Sequence, residues 1–297
     1  MSEPSEPRSG ALPAADVAKV LDQAQVPNLL FGFWAVGLHG SDRAYPEIDF
    51  VIPDAKLQLS IDTLITAGLD ICTKTDCTEL RVDRCPLAHQ LAVGRSRGPV
   101  HISAYRPILC RNRYHAIADA HFHLESRYTY YTVLSLYKQS EILWWLGDIT
   151  LDPVGSDDAT FMYSDDPRLP PRGVKGPTGP WTDLHPVKVL KQSLLAEALV
   201  LLMCRNYGDV QWVNESWKMM WFTLLELNLE PYGTDYPENI RALRRHIKAE
   251  FLPVVDGFLR RPGEGENIYR PLRQFRDKLL ERNELPRLPE INLFGKI

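Results

Sequence analysis

Two carboxylates, Glu47 and Asp49, stand at i and i+2 in the run Glu47-Ile48-Asp49-Phe50-Val51-Ile52. The run is β-rich, and alternate side chains of a strand share one face. The pair can therefore hold one divalent cation, and oxygen ligands of this kind suit Mg²⁺. Upstream, Leu29-Leu30-Phe31 reads as a short apolar strand broken by Gly32, with Trp34 to Leu38 as a short helix behind it. A strand that ends at a glycine and turns at once into a helix leaves backbone N–H groups and the positive helix end free for phosphate. Gly32 and Phe33 form that turn, and Ser41 and Arg43 in the polar loop between it and the carboxylates are the candidate phosphate contacts. A phosphate cradle facing a carboxylate pair is what metal-assisted phosphoryl or nucleotidyl transfer needs.

This segment resembles the signature of the nucleotidyltransferase superfamily, a Gly-Gly or Gly-Ser turn followed by Asp-hydrophobic-Asp. It is most similar to the small-molecule branch, which includes aminoglycoside nucleotidyltransferases, and to the longer form shared by many fungal proteins, Gly-Gly-Trp-Ala then Arg-x-Thr-x-Asp-Ile-Asp. Gly32, Trp34, Ala35, Arg43, Ile48 and Asp49 match that form, and Asp166-x-x-Leu169-Pro170-Pro171 ahead of a long apolar helix is similar to the same relatives. The resemblance implies Mg²⁺ and an NTP co-substrate at Glu47 and Asp49, with a small-molecule substrate. Three positions depart from the pattern: Phe33 replaces the second small residue, Tyr45 the small hydroxyl residue, and Glu47 the first Asp. The family's third carboxylate comes from a later strand. The candidate strand is 99–105, whose inward position carries His101. A neutral imidazole is a poorer Mg²⁺ ligand than a carboxylate, and His101 is also a candidate for acid/base work.

Other clusters carry competing readings. His121 and His123 lie at i and i+2, a metal pair for which the sequence shows no third ligand. The five cysteines (Cys72, Cys77, Cys85, Cys110 and Cys204) lack CxxC spacing and are expected as reduced thiols in the cytoplasm. Tyr128, Tyr130, Tyr131, Tyr137, Trp144 and Trp145 are either core or the floor of an apolar pocket. Arg241, Arg244, Arg245 and Lys248 fall on helical spacing and read as a solvated face.

The elements that must position these residues read as a mixed α/β (α+β) domain: a nucleotidyltransferase-like mixed sheet with flanking helices, then a C-terminal helical region. Met1 to Pro13 reads as a disordered leader, 14–146 as the α/β domain, 147–184 as a long Gly- and Pro-rich loop, and 185–297 as helical. Within that plan Ala14 to Ala24 is helical, and Ala55 to Ala67 is a helix N-capped by Asp54 and closed by Gly68. Strands are expected at Gln90–Val93, Val100–Tyr105 and Tyr128–Leu134. Helices follow at Val187–Arg205, Val213–Leu227, Asn239–Phe258 and Pro271–Arg282.

A net charge of −4 argues against general affinity for nucleic-acid backbone. The sequence has no apolar run of the roughly 18 to 20 residues that cross a bilayer. Three functions compete: a Mg²⁺-dependent nucleotidyltransferase acting on a small molecule; a diverged enzyme of cyclase or isomerase type on the same scaffold; and a non-catalytic partner-binding protein.

Overall fold

A computed structural model describes residues 11–41, 45, 47–75, 77–80, 116–124, 133–171, 177–207, 211–225, 238–259 and 269–286. The expected strands at 90–93 and 100–105, and with them His101, lie outside these residues, as does Arg43.

Seven strands among the described residues form one mixed sheet: β1 Leu29–Phe31, β2 Glu47–Ile52, β3 Asp70–Ile71, β4 Ala120–His123, β5 Val133–Lys138, β6 Phe161–Tyr163 and β7 Lys188–Leu190. Their order is β3-β4-β5-β2-β1-β7-β6. β2 runs parallel to β5 and antiparallel to β1, while β1 runs parallel to β7. β4 is antiparallel to both β3 and β5. The helices are α1 Leu12–Gln23, α2 Gly32–Leu38, α3 Leu57–Thr66, α4 Gln139–Ile142, α5 Gln192–Arg205, α6 Gln211–Leu224, α7 Glu238–His246, α8 Leu252–Leu259 and α9 Arg270–Glu281.

The register sorts the sheet into two unlike faces. Phe31 lies opposite Asp49, Asp49 opposite Ser135, and Ser135 opposite His121. Residues paired across neighbouring strands point the same way, so these four share a face with Glu47, Val133 and Tyr137. The reverse face carries Leu30, Ile48, Phe50, Ile52, Leu134, Leu136 and Phe122, all fully buried. Each such side chain contributes about 1.5–3 kcal/mol through burial. The apolar reverse face holds the fold, and the polar residues are concentrated on the other.

Several expectations are corrected. The strand expected over Tyr128–Leu134 is described only from Val133, and it runs on to Lys138. The helix expected from Val187 begins at Gln192, because Lys188–Leu190 is drawn into the sheet beside β1 and β6. Residues 147–184 supply a strand, β6, so the sheet itself continues through this segment. The helix expected over Asn239–Phe258 is two helices, separated at residues 247–251. Pro253 stands in the first turn of the second, where its missing N–H is tolerated, and would not be in the interior of one continuous helix.

Asp54 does not cap the helix that follows it. It lies in a 3-10 turn without a side-chain cap. Its carboxylate instead accepts hydrogen bonds from the backbone N–H (3.0 Å) and hydroxyl (2.5 Å) of Ser140, at the start of α4. Gly68 closes α3 in the left-handed conformation, φ +82°.

Candidate functional site

Gly32 has φ +66°, the left-handed region that a side chain disfavours. A Cβ at this position would sit 2.9 Å from Asp49 Cγ and closer still to its Oδ2. The turn between β1 and α2 therefore lies directly against the Asp49 carboxylate, and only glycine allows that approach. Asp49 is 8% exposed, near the middle of β2, while Glu47 at the strand's start is half-buried. Both carboxylates face the same way, as a pair of oxygen donors for one cation requires.

Two of the three departures from the motif, Phe33 and Tyr45, prove to be partners. The Phe33 and Tyr45 rings stack at 4.4 Å between centroids and 18° between planes, both buried. Trp34 Nε1–H donates to the Tyr45 carbonyl at 3.0 Å, so α2 fixes the end of the intervening loop. An aromatic stack thus stands beside the turn where small residues would let a phosphate approach the backbone.

The remaining space is small. Phe31, Gly32, Phe33, Glu47, Asp49, Ala116, Tyr137 and Ile142 surround it, with Ser216, Trp217 and Met220 of α6 closing it. Its volume is about 10 Å³, roughly what a single water needs. The Tyr137 hydroxyl donates to the Ala116 carbonyl at 3.2 Å, and Phe31 meets Trp217 edge to face at 6.4 Å. The lining is mainly apolar, and Glu47, Asp49 and Ser216 are among its polar members.

The strand beside β2 on the carboxylate side is β5, and the residue opposite Asp49 on it is Ser135, 1% exposed. Among the described residues this neighbouring position thus carries a hydroxyl, not a third carboxylate. The donor set fits a divalent cation held by two carboxylates, a number sufficient for Mg²⁺ when substrate phosphates complete its shell. As the described residues enclose it, the space is water-sized.

Ser41 is buried just beyond α2, where its backbone N–H donates to the Gly37 carbonyl at 3.0 Å. His39, two residues earlier, is 7% exposed and its Nε2 lies 2.9 Å from the Leu190 carbonyl, which fastens α2 to β7. Burial lowers its pKa to about 4, opposed by that hydrogen bond. A Cβ at Gly37 would lie 3.2 Å from Pro177 Cδ and closer to Cγ. The Thr178 hydroxyl donates to the Gly37 carbonyl at 3.2 Å. The Gly- and Pro-rich segment is thereby packed onto the helix behind the turn, a contact that no local pattern announces.

The largest correction concerns the histidine pair. His121 and His123 on β4 are joined by Cys72 and Cys77, and the four ligand atoms lie within 4.8 Å of one another. The two further candidate donors come from the segment after β3. Strand pairing brings them there, and cysteine spacing by itself gives no hint of it. Burial pushes the Cys77 thiol up from the usual cysteine range; a backbone hydrogen bond from Glu79 opposes the shift, and neighbouring Cys72 adds to it.

No protein-family profile and no curated protein sequence matches this chain. Among solved structures, the solution structure of the antibiotic-resistance factor ANT(2'')-Ia aligns with 82% of this chain and 94% of that one, at 11% identity and a TM-score of 0.32.

Proposed function

We propose that this is a nucleotidyltransferase-like protein whose cleft has diverged from NTP use toward a small, largely apolar molecule, with Glu47 and Asp49 as its polar anchor. The observation that carries this reading is the Phe33–Tyr45 stack beside the Gly32 turn. Triphosphate binding at such a turn depends on exposed backbone N–H groups, and two buried rings now occupy its flank. The mainly apolar lining favours the same conclusion, while the volume of about 10 Å³ means that a wall must move for any ligand. A small ligand entering this cleft displaces Met220 or Trp217 and meets a carboxylate pair able to accept a hydrogen bond or hold a proton.

Magnesium-dependent nucleotidyl transfer is the second reading, favoured by the juxtaposition of Gly32 with Asp49 and by the shared face of Glu47 and Asp49. In that reaction a substrate hydroxyl or amine attacks the α-phosphorus of an NTP in line, and pyrophosphate leaves.

A thermal-shift panel separates the two, because specific ligands stabilise the native state. The four NTPs, each with and without Mg²⁺ or Mn²⁺, are expected to leave the melting temperature unchanged, while members of a set of small aromatic and alicyclic molecules raise it. Mg²⁺-dependent stabilisation by an NTP that disappears in Asp49→Ala overturns the diverged reading in favour of nucleotidyl transfer.

A further inference from the structure

From Cys72, Cys77, His121 and His123 we infer a structural Zn²⁺ site at the β3–β4 edge of the sheet, separate from the Glu47–Asp49 cleft. The backbone explains why the four converge. Asp70 pairs with His123 and Ile71 with Phe122 across the two antiparallel strands. The Cys72 N–H then donates to the His121 carbonyl at 3.0 Å, extending the ladder by one residue. Cys72 therefore faces the same way as His121 and, two residues along, His123. The chain next turns back at Cys77, whose N–H donates to the Lys74 carbonyl at 3.3 Å. That turn brings Cys77 Sγ to 3.6 Å from His123 Nε2.

The dimensions suit the ion. A tetrahedron with Zn–S near 2.3 Å and Zn–N near 2.0 Å has ligand-to-ligand edges of about 3.3–3.8 Å. All four ligand atoms already lie within 4.8 Å, and one sulfur–nitrogen pair is at tetrahedral separation. The two imidazole rings stand 5.5 Å apart at 79°, nearly perpendicular, with a nitrogen of each in the same cluster of donor atoms.

Donor chemistry selects the metal. Two thiolates and two imidazoles suit Zn²⁺ and disfavour Mg²⁺ or Ca²⁺, which prefer oxygen. Two thiolates neutralise the dication, so the loaded site carries no net charge even though Cys77 and His121 are buried. Four protein ligands leave no open position, which marks the site as structural rather than catalytic.

The location gives the metal a task. β3 has only two residues and, among the described residues, is the outermost strand of the sheet. So short an edge strand is weakly held by its own hydrogen bonds. A four-ligand ion would bind Cys72 and Cys77, on the segment after β3, to β4. On the same face, His121 is separated from Asp49 by Ser135 alone, a distance of about 10 Å at the usual strand spacing. The tie therefore also steadies the strands beneath the cleft, whatever that cleft binds.

The test uses the reduced full chain. Metal analysis after reconstitution and exhaustive dialysis is expected to give one Zn²⁺ per chain. Co²⁺ substitution is expected to give the intense ligand-field bands of a tetrahedral site, together with a thiolate charge-transfer band. Zinc should protect two of the five cysteines from a thiol reagent. The Cys72→Ser/Cys77→Ser variant should lose the metal, and Asp49→Asn should keep it. Because the cysteine variant could fail to fold, the cobalt spectrum and thiol protection are read on the unaltered chain. Absence of both signals there overturns the inference, as does equal zinc uptake by a folded double-serine variant. A Cys72–Cys77 disulfide that persists in the reduced protein also overturns it.

Discussion

His39 shows how one residue's environment becomes a property of the whole protein. Its ring is buried between α2 and β7, with Nε2 against the Leu190 carbonyl, and burial holds its pKa near 4. Free histidine titrates near 6.5. As pH falls through 6.5 the unfolded chain takes up the proton and the folded chain does not, so stability declines until the folded pKa is reached. The contribution is therefore intact above pH 6.5 and lost progressively between 6.5 and about 4. Between pH 7 and pH 5 the expected loss is about 2 kcal/mol. Urea unfolding of the natural protein and of His39→Gln at both pH values checks it. The variant should start less stable at pH 7, having lost a fitted side chain, and should fall less steeply. Parallel slopes for the two proteins would assign the pH dependence elsewhere. At the same scale, the sequence points to Gly32, Phe33, Tyr45 and Asp49 individually. The stacking of Phe33 on Tyr45 across a twelve-residue separation, and the contact of Gly32 with Asp49, exist only in three dimensions.

Among the elements, those with their own punctuation were readable. β1 ends at Gly32, β2 at Pro53, and α3 at Gly68, each a residue that constrains the backbone where it stands. The short strands β3, β6 and β7 have two or three residues each, too few for a period-2 pattern to emerge. Lys188–Leu190 also fits the front of the apolar run that becomes α5, and only its pairing with β1 and β6 makes it a strand. Asp54 illustrates the same limit. Its position before a helical run suggests a local cap, yet its carboxylate serves the N–H and hydroxyl of Ser140, 86 residues away. Asp54→Ala should therefore destabilise by about 0.5–2 kcal/mol, the range for losing a helix cap. It should do so by freeing α4 from the end of β2. A double-mutant cycle with Ser140→Ala, followed by urea unfolding, is expected to show coupling, since the two side chains share one hydrogen bond. Strict additivity would place the effect of Asp54 in its own turn.

For the whole molecule, the connection that matters most is between ends of the chain that look unrelated. β1 lies between β2 and β7, so the sheet closes only when residues near 30 meet residues near 189. α5, buried along most of its length, follows β7 directly, and α6 then supplies Ser216, Trp217 and Met220 to the wall over Asp49. Glu197 in α5 is 3% exposed and meets Lys248 through both its ammonium (3.3 Å) and its backbone N–H (2.7 Å). This ion pair fixes the region after α7 to the same core. Local periodicity reads the N-terminal part as α/β and the C-terminal part as helical, which is correct in outline. It gives no sign that the first part lacks a completed sheet without the second. A fragment of residues 1–186 therefore retains β1 to β6 but loses β7, α5 and α6, and with them one of the two partners of β1, the strand that joins β6 to the sheet, and one wall of the cleft. It is expected to show no cooperative urea transition, and to bind a hydrophobic dye that the full chain excludes. A sharp transition in that fragment, at a midpoint close to the full chain's, would show that the first six strands form an independent folding unit and that the β1–β7 pairing is dispensable.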